Sequence, residues 1–189
     1  GHFRQHDWFK HTPGIILIGE KQVKPTTKTL DYQALEWARQ LVHTSSVHGR
    51  RGGLAAYEAW AEDLAQDEDF PINDMVVLNQ RMMAHDDAVT TVAEGRWYAS
   101  RFLANMAGRE PNIAAELLTA AACYATEHDL MWRIWNLVGG IGRSEAQVKK
   151  LADPDIRRQI IPLICQARDK DEEAISCLGR ALQVDISAG

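Results

Sequence analysis

The chain has 189 residues, 46% of them hydrophobic and 25% charged, which are globular proportions and exclude a disordered or fibrous protein; at this length about 70% of the unfolded surface is buried without disulfide or metal staples. The net charge of −5 is uneven, since residues 1–52 hold eight Lys and Arg against four Asp and Glu, while Glu58 to Asp74 holds seven acids and no base; this acidic body argues against a nucleic-acid partner. The longest aliphatic run, Ile15 to Ile18, is far short of the ~20 residues of a membrane helix, and no basic-then-apolar signal opens the chain, so no membrane role and a cytoplasmic location are expected.

In chain order, Pro13-Gly14-Ile15-Ile16-Leu17-Ile18-Gly19 is a short Gly-bounded aliphatic run that reads as a strand-like arm. Such a segment needs partners for its backbone, in a sheet, on the helices, or in another copy through a homo-oligomer. Lys24-Pro25-Thr26-Thr27 reads as a linker. The expected division is therefore an extended arm over residues 1–25 and a helical bundle over 26–189.

Beyond the linker, helical periodicity dominates. Leu30, Ala34, Trp37 and Leu41 form an apolar stripe, and Ser45 to Gly53, with Gly49, Gly52 and Gly53, reads as a stop and a flexible joint. A second helix runs from Leu54 to about Gln66. Met75, Leu78, Met82, Val89, Val92 and Leu103 continue a third stripe to Gly108, as one helix of about 35 residues or two with a bend near Gly95. Pro111 suits a first helical position, and Ile113, Leu117, Tyr124, Met131, Trp135 and Val138 lead to a stop at Gly139-Gly140. Ser144 with Gln147 fits a capping box, and Asp153-Pro154 opens a last helix toward Leu182, with a kink expected at Pro162. The fold class is all-α: a five- or six-helix bundle with a short extended N-terminal arm.

Polar residues standing where the repeat demands apolar ones are the informative signal. His85, followed by Asp86 and Asp87, fills an apolar slot of the third segment, and Glu127 with His128 fills one in the fourth. A core His or Glu satisfied by a hydrogen bond or ion pair is the ordinary explanation, and Arg96 is the obvious mate for Glu127. If the third and fourth helices are antiparallel, His85 and Glu127 lie on the order of 10 Å apart along the axis, too far for shared metal ligands. Glu127 and His128 are adjacent rather than three apart, so they do not share a helix face. No metal and no cofactor is expected.

Trp60, Trp97, Trp132 and Trp135 lie on the same helices as these polar groups. Core packing is their ordinary role; a tryptophan-lined cleft is the sharper one, with Trp60, His85, Glu94, Trp97, Glu127, His128 and Trp132 as candidate ligand-binding residues. Three cysteines, Cys123, Cys165 and Cys177, match neither a disulfide framework nor a CxxC site, and none opens a helix where a thiolate is favoured. No GxSxG, P-loop, GxGxxG or HExxH occurs, so catalytic residues stay unassigned.

The arm Gly14 to Lys21, the segment Gly53 to Ala61 and Glu127-His-Asp-Leu-Met-Trp132 together resemble the C-terminal helical portion of bacterial proteins related to butirosin biosynthesis protein H and the C39-like cysteine peptidases. The resemblance implies helices that follow a papain-like domain with a Cys nucleophile, in a family whose best-described member transfers an aminoacyl group from a carrier protein to an amine. This chain does not contain that domain, so no catalytic residue carries over. The arm would then complete a sheet of an upstream catalytic domain, and the bundle would help shape a cleft for an acyl or amine substrate. Two readings follow: a small-molecule-binding module accessory to a thiol-dependent acyltransferase or peptidase-like enzyme, or a free-standing helical-bundle enzyme using His85, Glu127 and His128 as acid/base or metal groups.

Overall fold

The computed structural model describes residues 24–187. Within them six α-helices and a two-residue-per-strand hairpin follow in order: α1 Thr27–His43, β1 Ser46–Val47, β2 Arg50–Arg51, α2 Leu54–Leu64, α3 Met75–Ala107, α4 Ala114–Val138, α5 Glu145–Ala152 and α6 Pro154–Ser187. This is the all-α bundle that the periodicity calls for. The aliphatic arm Ile15 to Ile18 lies outside the described residues. No helix among the described residues is long and apolar enough to cross a membrane.

Local chemistry sets most boundaries. Thr26 caps α1 by accepting from the Thr29 backbone N–H at 3.1 Å, and Asp74 caps α3 by accepting from Val76 and Val77 N–H. Between the caps of α3 and its end at Ala107 the helix is unbroken over 33 residues, through Gly95. At the end of α4, Gly139 is left-handed (φ 105°) and Gly140 N–H reaches back to Trp135 O at 2.7 Å, a Schellman stop. The Ser144–Gln147 capping box opens α5 as anticipated. α6 runs through Pro162, which sits on its exposed side.

Two expectations are corrected. Ser45 to Gly53 is an antiparallel hairpin pairing Ser46 with Arg51 and Val47 with Arg50, rather than a loose joint. His48 and Gly49 both take positive φ, 49° and 77°, as a type I′ turn requires. At its far end a Cβ on Gly53 would lie 2.0 Å from Val42 O, so only glycine lets the hairpin close on the end of α1.

The second correction concerns the phase of α1. Its buried residues are Asp31, Leu35 and Val42, whereas Leu30, Trp37 and Leu41 are exposed. The helix is thus turned about 100° from the stripe read in the sequence, one residue along. Asp31 is drawn inward because it meets Arg109, from the α3–α4 turn, at 2.6 Å, while Leu35 and Val42 join the core beside Leu178 of α6.

α4 packs along both α3 and α6, and α1 and α2 lie on α6. The core is divided into two clusters, one around Met82, Val89, Met131 and Ile164 and the other around Leu103, Leu117, Tyr124 and Ile175. On each long helix the division falls at one charged residue: Arg96 between Ala93 and Leu103, Glu127 between Tyr124 and Leu130, Asp171 between Ala167 and Ala174. A polar layer crosses the middle of the bundle.

Candidate functional site

The polar layer is built from four helices. Arg96 Nε faces both oxygens of Glu127 at 3.1 Å, and its Nη2 reaches Asp171 Oδ2 at 2.5 Å. From α2 the Tyr57 hydroxyl lies between the carboxyls, against Glu127 Oε1 and 3.2 Å from Asp171 Oδ2. The guanidinium also lies over the Tyr124 ring, 5.0 Å from its centroid. Glu127 and Asp171 are 0% and 1% exposed; Asp171 Oδ1 is buried and has no hydrogen-bond partner.

Burial governs the charges here. It pushes Glu127 up to about 7 against the pull of Arg96, and it raises Asp171 in the same way. Burial and the neighbouring Glu127 also raise the Tyr57 hydroxyl, which stays protonated at neutral pH. For Arg96 burial acts downward, but Glu127, Tyr57 and Asp171 outweigh it and hold the guanidinium charged.

Above this layer opens a cavity of about 740 Å³, walled by α1, the hairpin, α2 and α3. Leu41, Val47, Trp60 and Val92 supply apolar wall, and Tyr57, Arg96 and Asp171 its polar floor. The misphased stripe of α1 therefore has one use: Leu41, pointed away from the core, lines the cavity.

The candidate residues divide into separate environments. Trp60 lines the cavity and Glu127 lies behind its floor. His85 faces a second cavity of about 670 Å³, whose wall shares Ala56, Trp60 and Ala88 with the first. His85 Nδ1 accepts from Trp60 Nε1 at 3.2 Å, so the neutral ring carries its proton on Nε2, which is buried and unpartnered. Burial drives His85 down to about 4, the neighbouring Asp86 countering in part.

His128 is satisfied on both nitrogens. Nε2 accepts from Trp132 Nε1 at 3.0 Å, which leaves Nδ1–H to donate to Ala93 O at 2.9 Å. Its ring is tilted against Trp97, with centroids 5.2 Å apart, and meets Trp132 edge-on at 6.3 Å, and Trp132 in turn meets Trp135 edge-on at 4.9 Å. This ladder, with Arg101 over Trp97, lines neither cavity, so Trp97, His128 and Trp132 belong to a half-exposed structural seam. Glu94 is exposed and lines neither cavity. Among the described residues no group of three His, Cys, Asp or Glu side chains is placed to hold a metal ion.

Tyr57 and Asp171 were not among the residues singled out from the sequence. Tyr57 sits on an apolar stripe and looks like packing; Asp171 lies in a charged run, Arg168 to Glu173, where one inward-facing acid among solvated ones has no local mark. A helical-phase count on α6 from Ile164, Ala167 and Ala174 would have placed it inside. Arg157 likewise carries no local mark in the sequence. It is 2% exposed and donates to the carbonyls of Leu64, Leu151 and Ala152, closing the ends of α2 and α5, with Asp67 and the Phe70 ring completing its surroundings.

Compared with known proteins, the chain matches no protein-family model, no curated protein and no solved structure.

Proposed function

We propose that this chain is a small-molecule-binding helical module whose ligand sits in the cavity above the Arg96–Asp171 layer. One observation carries the reading: a cavity of about 740 Å³ with apolar walls ends on a buried carboxylate that has an unused oxygen. Ligand sites combine such volume with a few convergent polar groups, and a buried acceptor without a partner costs about 1–3 kcal/mol unless something meets it.

The resemblance noted above supplies a setting, an accessory domain beside a thiol-dependent acyltransferase or peptidase-like enzyme that handles an acyl or amine substrate. The cysteines fit an accessory role. Burial pushes the Cys123 thiol up to about 11 and raises that of Cys177, so neither supplies a thiolate at neutral pH.

A free-standing enzyme is the second reading, favoured by Glu127, held near 7 in contact with Tyr57, since an acid/base group works best near the ambient pH. His85 and His128 do not join it, because they belong to other environments.

The test uses tryptophan indole N–H signals in NMR while aryl probes of different charge are titrated. The Trp60 signal is expected to move with those of Trp97 and Trp132 unmoved, and Thr91→Trp, which fills the cavity from its exposed rim, is expected to abolish the response. No Trp60 shift with any probe at millimolar concentration overturns the ligand-site reading. Turnover of an ester or amide probe, lost in Glu127→Gln, would favour the enzyme.

A further inference from the structure

We propose that the cavity selects a protonated amine carrying an apolar or aryl body, its ammonium seated on Asp171 Oδ1. The inference rests on the reading of the cavity as the ligand site and names what occupies it.

Charge and hydrogen count in the layer point to a cation. Two carboxyls, Glu127 and Asp171, face a single guanidinium, Arg96, and all the ion-pair contacts of Arg96 go to these two. With both carboxyls ionised the layer carries one uncompensated negative charge at nearly zero exposure, which is too costly to persist. The Tyr57 hydroxyl adds a second constraint. It has one hydrogen yet lies within hydrogen-bond reach of Glu127 Oε1 and Asp171 Oδ2, so one contact sets two acceptors against each other unless that carboxyl is itself protonated. The layer thus holds one extra proton, or one cation takes its place.

The cavity floor is the place for that cation, which would reach Oδ1 by a small opening of a side chain that is 1% exposed. Asp171 lines it and keeps Oδ1 without a partner. Around the layer and the cavity, α2 brings Tyr57, α3 brings Arg96, α4 brings Tyr124 and Glu127, α6 brings Asp171, and α1 brings the apolar Ala38, Leu41 and Val42. At the rim Asp87 adds a further acid, held by Arg143 at 2.5 Å. Arg96 is the only Lys or Arg among the described lining residues. A second anion would meet excess negative charge and an Arg96 already engaged, whereas an ammonium completes the layer. Trp60 and the apolar walls fit the rest of such a molecule, and aromatic rings also favour cations at close range. Glu127, pushed up to about 7, is the group that holds the displaced proton. Binding is then an exchange in which the ammonium enters with its own three hydrogens and the layer gives up the proton that Glu127 holds, about half a proton per site at pH 7 and nearly a whole one at pH 6.

Isothermal titration with three probes that share a phenethyl body, phenethylamine, 2-phenylethanol and 3-phenylpropionate, in phosphate and in MOPS tests this. Phenethylamine is expected to bind at least about tenfold more tightly than the other two, as a charge-assisted hydrogen bond provides, with a buffer-dependent heat at pH 7 that corresponds to release of about half a proton. Asp171→Asn, checked for an intact melting curve, is expected to bring the amine down to the level of the alcohol. Should that variant not fold, Glu127→Gln leaves Oδ1 in place but removes the excess negative charge, and both the amine preference and the proton release are expected to vanish. Equal or tighter binding of the alcohol or carboxylate, with Trp60 still responding, overturns the amine inference and leaves the cavity a ligand site. An amine preference retained in the folded variant overturns the seat at Asp171. Absence of any Trp60 response to all three probes overturns both.

Discussion

Arg96 on α3 and Asp171 on α6 meet at 2.5 Å across the middle of the bundle, at the level where the apolar core is interrupted. Arg96 also holds Glu127 on α4, so one side chain ties the three long helices together. Replacing it with Met leaves two buried carboxyls facing each other. Arg96→Met is expected to cost about 3–5 kcal/mol in urea unfolding, less in acid where both carboxyls are protonated. The combined change of Arg96→Met, Glu127→Leu, Asp171→Leu and Tyr57→Phe should recover most of the loss. A cost below about 1 kcal/mol for Arg96→Met alone would mean that the layer is not closed.

The dependence of stability on pH has two opposed parts. Glu127 lies above its ordinary 4.5, at about 7, so the folded state retains a proton that the unfolded chain releases. Its contribution is full below about 4.5 and is lost as pH rises through about 7, and Asp171 acts in the same direction. His85 lies below its ordinary 6.5, at about 4, so its contribution is full above about 6.5 and is lost as pH falls through about 4. The stability difference between the native chain and Glu127→Gln should therefore fall as pH rises from about 4.5 to 7. That between the native chain and His85→Leu should rise from about pH 4 to 6.5. Flat difference curves from urea titrations across these windows would refute the assignments.

At neutral pH His85→Leu itself is expected to change stability by no more than about 1 kcal/mol. It removes a buried, unpartnered Nε2–H but takes the acceptor from Trp60 Nε1, and the two effects oppose each other. A loss above about 3 kcal/mol would show that Nε2 has a partner in solution.

The phase of α1 is open to a paired substitution. Trp37 is 69% exposed and Leu35 only 1%. Trp37→Gln should shift stability by no more than about 0.5 kcal/mol, whereas Leu35→Ala should cost about 2–5 kcal/mol. The reverse order would restore the stripe read from the sequence.

Arg157 has a structural part. Arg157→Met strands the carbonyls of Leu64, Leu151 and Ala152, each penalised once its donor is gone. A loss of about 3 kcal/mol or more is expected, together with faster hydrogen exchange at the end of α2 and in α5. An unchanged unfolding midpoint would contradict it.

Most of the helical architecture is determined by the sequence itself, because caps, glycine stops and apolar spacing act within a few residues. Asp74, the Ser144–Gln147 box and Gly139 begin or end helices through bonds to their own neighbours. The buried polar residues His85 and Glu127, and the pairing of Glu127 with Arg96, were legible for the same reason: a stripe on a long helix leaves little freedom of phase. Tertiary structure decided what depends on a partner far away in the chain. The phase of α1 follows Arg109, 78 residues from Asp31, and there a distant ion pair, together with the packing of Leu35 and Val42 in the core, outweighs the local stripe. The hairpin closes only because Gly53 can pass Val42 O. Tyr57, 114 residues from Asp171, becomes part of a site only when α2 lies on α6, and Trp97, His128 and Trp132 leave it because the α3–α4 pairing turns them to another face. Periodicity reports which side of a helix is buried; whether the groups on that side meet over a cavity is set by how the helices cross, and that is a property of the assembled core.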